Sequence, residues 1–140
     1  MLFRSVVITL TGVTGNAGLG TVKTHTLTLS EAALSVEFVS SSSSLNEGNT
    51  GKISYNISLP SGVTPSVSVG GTATEGTDYT YAVTQTGVTI TATDDGLYDP
   101  SETVTVTLTG VSGNAVLGTL QTHTVTLTEA ALVVEFTSTS

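Results

Sequence analysis

The residues best equipped for chemistry lie together in Asp94-Asp95-Gly96-Leu97-Tyr98-Asp99-Pro100-Ser101-Glu102, which holds four of the chain's eleven carboxylates. Two unit charges about 4 Å apart repel by roughly 4 kcal/mol at an effective dielectric near 20. Carboxylates packed this closely therefore splay apart, take up protons or share a hard cation. A solvated acidic loop is the competing reading, and the placement of the remaining acids bears on the choice.

Other chemistries find less support. Glycoside hydrolysis needs a carboxylic acid and a base facing each other across a sugar-binding cleft; the chain has no Trp and few aromatic residues to line one. His25 and His123 stand in matching Thr-His-Thr contexts, with no second His or Cys at zinc-ligand spacing, so both are expected at the edge of a core. No Ser-His-Asp spacing, phosphate-cradling Gly loop or dinucleotide fingerprint occurs, and no catalytic residue is assigned. Arg4, Lys23 and Lys52 are the whole basic complement, which leaves a net charge of −8 and speaks against nucleic acid or an anionic membrane surface as partner. No apolar stretch approaches the ~20 residues of a helical span, and Met1 to Ser5 is too short for a signal peptide, so export would need a signal outside this chain. Ser and Thr supply 46 of the 140 residues, a composition typical of β-rich surface or secreted repeat proteins. Asn56-Ile57-Ser58 is a glycosylation sequon whose Asn faces outward by strand parity.

The elements that must position the acids read with a period of two. Val88, Ile90 and Ala92 alternate with Thr; so do Val104, Val106 and Leu108. Ile53, Tyr55, Ile57 and Leu59 form a third inward face; Val36 with Phe38, then Val125 with Leu127, supply two more. Turn residues at Asn46-Glu47-Gly48, Pro60-Ser61-Gly62, Gly70-Gly71, Glu75-Gly76 and from Gly110 to Gly118 separate them. Seven strands are counted, the pattern of a Greek-key, immunoglobulin-like β-sandwich in an all-β chain.

Sliding the sequence by 98 residues, without a gap, superposes Val6 to Ser42 on Val104 to Ser140 with 26 of 37 positions identical. The chain therefore reads as a sample of a tandem array. Residues 1–33 are the closing hairpin of a preceding repeat, 34–131 are one complete unit, and 132–140 are the first strand of a following repeat. Neither disulfides nor free thiols enter, because Cys is absent.

Consecutive antiparallel strands send alternate turns to opposite ends of a sandwich, and the acids follow that alternation. Glu47 falls in the first turn, Glu75 and Asp78 in the third, Asp94, Asp95, Asp99 and Glu102 in the fifth, and Glu129 just after the last strand. The second, fourth and sixth turns carry none. Parity thus gathers the acids at one pole, as a metal site or as an acidic cap that keeps arrays from aggregating.

Gly71-Thr72-Ala73 with Gly76, Asp78 and Tyr79, then Asp94-Asp95 with Asp99 and Glu102 ahead of a Thr/Val strand, resembles the Calx-β domain. That family was first described in sodium/calcium exchangers and is common as tandem units in large bacterial surface proteins. The resemblance covers about Leu34 to Glu129, with three loops matching in order. It implies Ca2+ ligands at Glu47, Asp78, Asp94, Asp95, Asp99 and Glu102, with Glu129 where the exchanger domain carries further acids. This sequence departs from the family at Asp99, in place of a longer Glu, and at a lone Glu129 in place of an acidic run. Fewer ligands imply one or two ions held at about 0.1–1 mM, as in extracellular modules.

The resulting expectation is a non-enzymatic structural or adhesive module of an extracellular or cell-surface protein, with calcium stiffening the joint between repeats. Its partners would be neighbouring repeats or identical chains, with a surface glycan or protein ligand left open. Two alternatives stand beside it: a filament subunit that adds β-strands between chains, and a calcium-sensing regulatory module.

Overall fold

The computed structural model describes residues 4–98 and 100–129. The chain divides into two compact units, Met1–Ala33 and Leu34–Ser140. It is all-β, and no helix occurs among the described residues.

The first unit is a hairpin of β1 (Arg4–Thr9) and β2 (Thr24–Leu29), paired antiparallel from Arg4 opposite Leu29 to Thr9 opposite Thr24. The second contains β3 (Leu34–Val36), β4 (Ser42–Asn46), β5 (Thr50–Ser54), β6 (Thr64–Gly71), β7 (Tyr79–Thr84), β8 (Gly87–Ala92), β9 (Thr103–Ser112), β10 (Ala115–Leu117) and β11 (Thr122–Thr128). One sheet runs β4-β11-β9-β6, a second β5-β8-β7, and β10 pairs with β3. The early strands β3 and β4 pair parallel with β10 and β11; the other pairs are antiparallel. The arrangement is β-sandwich-like, with one apolar core supplied by alternate residues of both sheets. Val88 and Ile90 of β8, Val104, Val106 and Leu108 of β9, and Val125 and Leu127 of β11 are all buried. Their Thr neighbours face outward, where β-branched residues favour the extended backbone without needing burial. The sheet edges are blunted: β4 is mostly exposed Ser, and β6 carries Pro65 and a register shift at Ser66/Val67.

Seven strands were expected from the alternation, and the described residues of the second unit form nine, because its first and last strands are each broken. Phe38 still bridges Tyr55, and Val39 N donates to Ser54 O, but from Ser41 the chain turns to β11, whose Thr124 N it accepts. The first strand thus changes sheets midway. The last is interrupted between Leu117 and Thr122, opposite Glu37. The expected inward run Ile53, Tyr55, Ile57, Leu59 does face the core, but the strand carrying it is short, since β5 stops at Ser54. Beyond it Tyr55 N and Leu59 N bond Thr86 O and Gln85 O, and Leu59 is buried without being in a strand while Ile57 is half-buried. Tyr55 stacks on Phe38 with ring centroids 5.8 Å apart. Its hydroxyl is buried without a hydrogen-bond partner, and burial pushes the phenol up to about 12.

The two units share a pairing pattern. In the first, Val6 faces Leu27 and Ile8 faces His25; in the second, Val104 faces Val125 and Val106 faces His123, each residue displaced by 98. Every pair from Ser5/Thr28 to Thr9/Thr24 has its counterpart from Thr103/Thr126 to Thr107/Thr122. Burial separates the two. Val6, Ile8, Leu10, Leu27 and Leu29 are between 45 and 59 % exposed, whereas Val104, Val106, Leu108, Val125 and Leu127 are at most 2 % exposed.

Candidate functional site

The acid-bearing segments meet at one end of the second unit. The β4–β5 turn is closed by Asn49 N donating to Asn46 O, and Glu47 N reaches Thr128 O at 3.0 Å. That turn also faces Asp94: a Cβ on Gly48 would lie 3.8 Å from the Asp94 Cβ. Thr93 N donates to Asp78 O at 2.8 Å, and Leu127 N to Glu102 O at 2.8 Å. Gly71, at φ 125°, lets β6 run onto the start of β9, where a Cβ would strike the Thr103 carbonyl; Thr72 N and Ala73 N donate to that same oxygen. Backbone bonds therefore tie together the segments carrying Glu47, Asp78, Asp94, Asp95, Glu102 and Glu129. At the opposite end the acid-free turns abut: Gly113 lies against the Gly62 carbonyl, and Leu59 N bonds Gln85 O.

Much of the carboxylate chemistry is committed locally. Asp78 is buried, and its Oδ2 accepts Thr74 N at 2.6 Å, fixing its own turn. Asp94 Oδ1 accepts Gly96 N at 3.1 Å and Asp95 Oδ1 accepts Leu97 N at 2.9 Å, two successive turns in which the side chain imitates a backbone acceptor. The loop that follows is shaped by Ser101, whose φ is 80°. Glu47, Glu102 and Glu129 are half-buried, and the Oε2 of Glu102 is closed off from solvent. Glu75 is exposed; after burial it is the next cause of the raised Tyr79 phenol, ahead of Tyr81 and Asp78. The donors have the hard oxygen chemistry that calcium takes. Among the described residues, no three carboxylates or imidazoles converge on one ion position. Asp99 lies outside the described residues, as does the expected strand 132–140.

No family model and no curated protein matches the chain.

Two residues do more than their sequence context suggested. His123 was expected at the edge of the core; it is 2 % exposed and sits edge-on to Phe38, with centroids 6.1 Å apart. Its Nδ1 lies 2.7 Å from Ser40 O, which can only accept, so Nδ1 donates there, and Nε2 lies 2.8 Å from the Ser43 hydroxyl. His25, its counterpart, is exposed. Asn56 of the sequon faces outward as expected, but its Nδ2 donates to Ser35 O while its Oδ1 accepts Glu37 N.

Glu37 is the second. Its Oε2 accepts Thr119 N at 2.8 Å, the Thr119 hydroxyl at 3.1 Å and Leu120 N at 3.2 Å, which occupies the backbone donors in the break between β10 and β11. Gly118 makes room, since a Cβ there would lie 2.9 Å from the Glu37 Cβ. The bonds from Leu120 and Thr119 hold the Glu37 carboxyl below its ordinary value of 4.5. A depressed carboxylate contributes stability that is present above the unfolded value and lost as pH falls through the folded one. Glu37→Gln is therefore expected to flatten the fall of the melting midpoint below about pH 4.5, measured by circular dichroism from pH 7 to 3. An unchanged acid limb would show that the ionised form of Glu37 contributes nothing to the joint.

Proposed function

We propose that the second unit is a Calx-β-like repeat of an extracellular or cell-surface array, with a Greek-key, immunoglobulin-like arrangement and a structural or adhesive role. The observation that carries this reading is the shared register of β1–β2 and β9–β11, because a hairpin whose pairing recurs 98 positions away is what tandem copies of one unit give. The strand order supports it too: the first strand pairs with β10, touches the β5 side through the Phe38–Tyr55 bridge, and then pairs with β11. Surface Thr ladders and blunted edges suit a module exposed along its length. No reaction is assigned to it.

Calcium at the acidic end belongs to the same reading. Glu47, Asp94, Asp95 and Glu102 offer the donors, and the bonds joining their segments keep them within one loop cluster; Asp78, Asp99 and Glu129 complete the set that the resemblance implies. Binding would have to draw these carboxylates together, and each oxygen already turned to its own backbone would be shared. The stabilisation would be RT ln(1 + [Ca]/Kd), about 1.4 kcal/mol per tenfold excess over Kd. Calorimetric titration of the chain with calcium tests it, beside the double variant Asp94→Ala, Asp95→Ala. Heat and a raised melting midpoint in the wild type, both lost in the variant, are expected. No heat and no shift up to about 10 mM, beyond the weakest modules, would leave a calcium-free spacer.

A second reading, a filament subunit that adds strands between chains, is favoured by the exposed apolar face of the β1–β2 hairpin.

A further inference from the structure

We infer that β7 is the edge at which two copies of this chain pair, antiparallel and about a two-fold axis at Ala82, so that their β5-β8-β7 sheets become one. The inference goes beyond the array reading and does not rest on it, because the edge belongs to a single unit. β7 (Tyr79–Thr84) is the outer strand of its sheet. The other edges are guarded: β4 by its Ser run, β6 by Pro65 and a register shift, and β5 by Lys52 and by the first strand, whose Val39 N bonds Ser54 O. β7 reads Tyr-Thr-Tyr-Ala-Val-Thr, with no charge, Pro, Gly or register shift.

Its apolar face is half covered. Tyr79, Tyr81 and Val83 stand opposite Ala92, Ile90 and Val88 and share their core-facing side. Ile90 and Val88 are 0 % exposed and Tyr79 2 %, yet Tyr81 is 37 % and Val83 41 % exposed. The apolar surface thus runs one strand further than the rest of the unit covers.

The backbone restricts what fits there. Thr93 N donates to Asp78 O, so the hydrogen-bonded pairs of this ladder are Asp78/Thr93 and, by alternation, Thr80/Thr91, Ala82/Thr89 and Thr84/Gly87. Tyr79, Tyr81 and Val83 therefore turn their N–H and C=O away from β8. Tyr79 O already accepts Gly76 N, and just past the strand Gln85 O accepts Leu59 N. Among the described residues, nothing claims the backbone of Tyr81 or Val83. A second β7 running antiparallel satisfies these groups in one register. With Tyr81 opposite Val83 of the other copy, and Val83 opposite its Tyr81, four N–H···O bonds form. Setting Tyr81 against Tyr81 calls on the Tyr79 carbonyl that Gly76 holds, and setting Val83 against Val83 calls on the Gln85 carbonyl that Leu59 holds.

Charge selects the same occupant. Lys52 is the one Lys or Arg between residues 34 and 140, and its Nζ lies 2.6 Å from Thr86 Oγ1 at the tip of the β7–β8 hairpin. Glu75 is exposed at the other end of β7, where it bridges Tyr79. The two-fold sets the Glu75 end of each copy against the Lys52 end of the other and keeps the two acidic poles apart, whereas a parallel partner would bring them together. A contact this short is small beside the roughly 1,200–2,000 Å² of stable complexes, so the pair forms at high concentration.

Cysteine is absent, so a single one reports the axis. Ala82 is exposed and faces Ala82 of the other copy in a non-hydrogen-bonded pair, with Cα atoms about 4.5 Å apart, within reach of a disulfide. The full chain carrying A82C, oxidised at about 0.5 mM, is expected to give a reducible dimer and nothing larger, at least about tenfold faster than S61C at an exposed turn. In sedimentation equilibrium the wild type should pass from monomer toward dimer over the same range. V83K puts an ammonium among the apolar side chains of the joint and should raise the dissociation constant at least about tenfold, with the melting midpoint unchanged. E75K should weaken pairing as well, and K52E added to it should restore it. A82C no faster than S61C, or a wild type that stays monomeric, overturns the inference. Self-association that V83K leaves intact overturns it too, because another surface then carries it. A K52E/E75K double variant as weak as E75K alone overturns the two-fold register. If V83K lowers the melting midpoint, the A82C rate and the charge swap decide instead.

Discussion

Val106→Asp is expected to abolish cooperative unfolding of the second unit, while Ile8→Asp, the same change at the equivalent position of the first, leaves the melting midpoint of that unit in place. The two residues occupy one register position, opposite His123 and His25. Val106 is 0 % exposed and lies between the sheets, so a carboxylate there is either ionised without a partner or forced to take up a proton. Breaking a core in this way costs several kcal/mol, a large part of the roughly 5–15 kcal/mol that holds a domain together. Ile8 is 56 % exposed, and a charge there stays in water, with an effect expected within about 0.5 kcal/mol. Melting of both variants by circular dichroism decides the matter. A comparable loss from Ile8→Asp would mean that the hairpin is packed into the same cooperative core, and the division into two units would then be wrong.

That contrast also shows what a sequence of this kind carries and what it leaves out. Alternation of Val with Thr located the buried faces of β8, β9 and β11, because period-two burial is a local property of an extended chain beside a core. The pattern alone does not separate Ile8 from Val106, since it is blind to whether an opposing sheet exists. The breaks in the first and last strands were invisible for a related reason. A switch of sheets at Ser40 depends on where Tyr55, Thr124 and Ser41 lie in space, and no residue near Ser40 announces it. Turn order did group the acid-bearing loops, and the bonds from Glu47 to Thr128, Thr93 to Asp78 and Leu127 to Glu102 join those loops. The direction in which each carboxylate points was beyond reach, because Asp78, Asp94 and Asp95 spend an oxygen on backbone donors two to four residues away. Glu37 was passed over since its partners lie more than 80 residues on. A clue was present all the same: Glu135 and Thr21 repeat Glu37 and Thr119 at the 98-residue offset, so both halves of the contact recur together.

Phe38→Ala is expected to cost about 3–5 kcal/mol, a fall in melting midpoint on the order of 15–30 °C for a unit of this size. Phe38 is where the first strand joins both sheets. Its ring stacks on Tyr55 of one side, at an interplanar angle of 25°, and meets His123 of the other edge-on at 67°. Its backbone N bonds Leu120 O, one residue from the donors held by Glu37. Truncation leaves a cavity lined by Tyr55 and His123, and neither can move to fill it freely: Tyr55 N is bonded to Thr86 O, and the His123 ring is held at both nitrogens by Ser40 and Ser43. Phe38→Leu keeps most of the volume and should cost under about 1.5 kcal/mol, which separates the loss of packing from any loss of backbone pairing. His123→Ala removes the other wall of the same contact. Because the two residues touch, their effects should fall short of additivity by about 0.5–3 kcal/mol in a double-mutant cycle read from chemical denaturation. A strand that merely lay along the surface would give small, additive losses at both positions. That result would remove the first strand from the core, and with it the reason for a repeat unit to begin at Leu34.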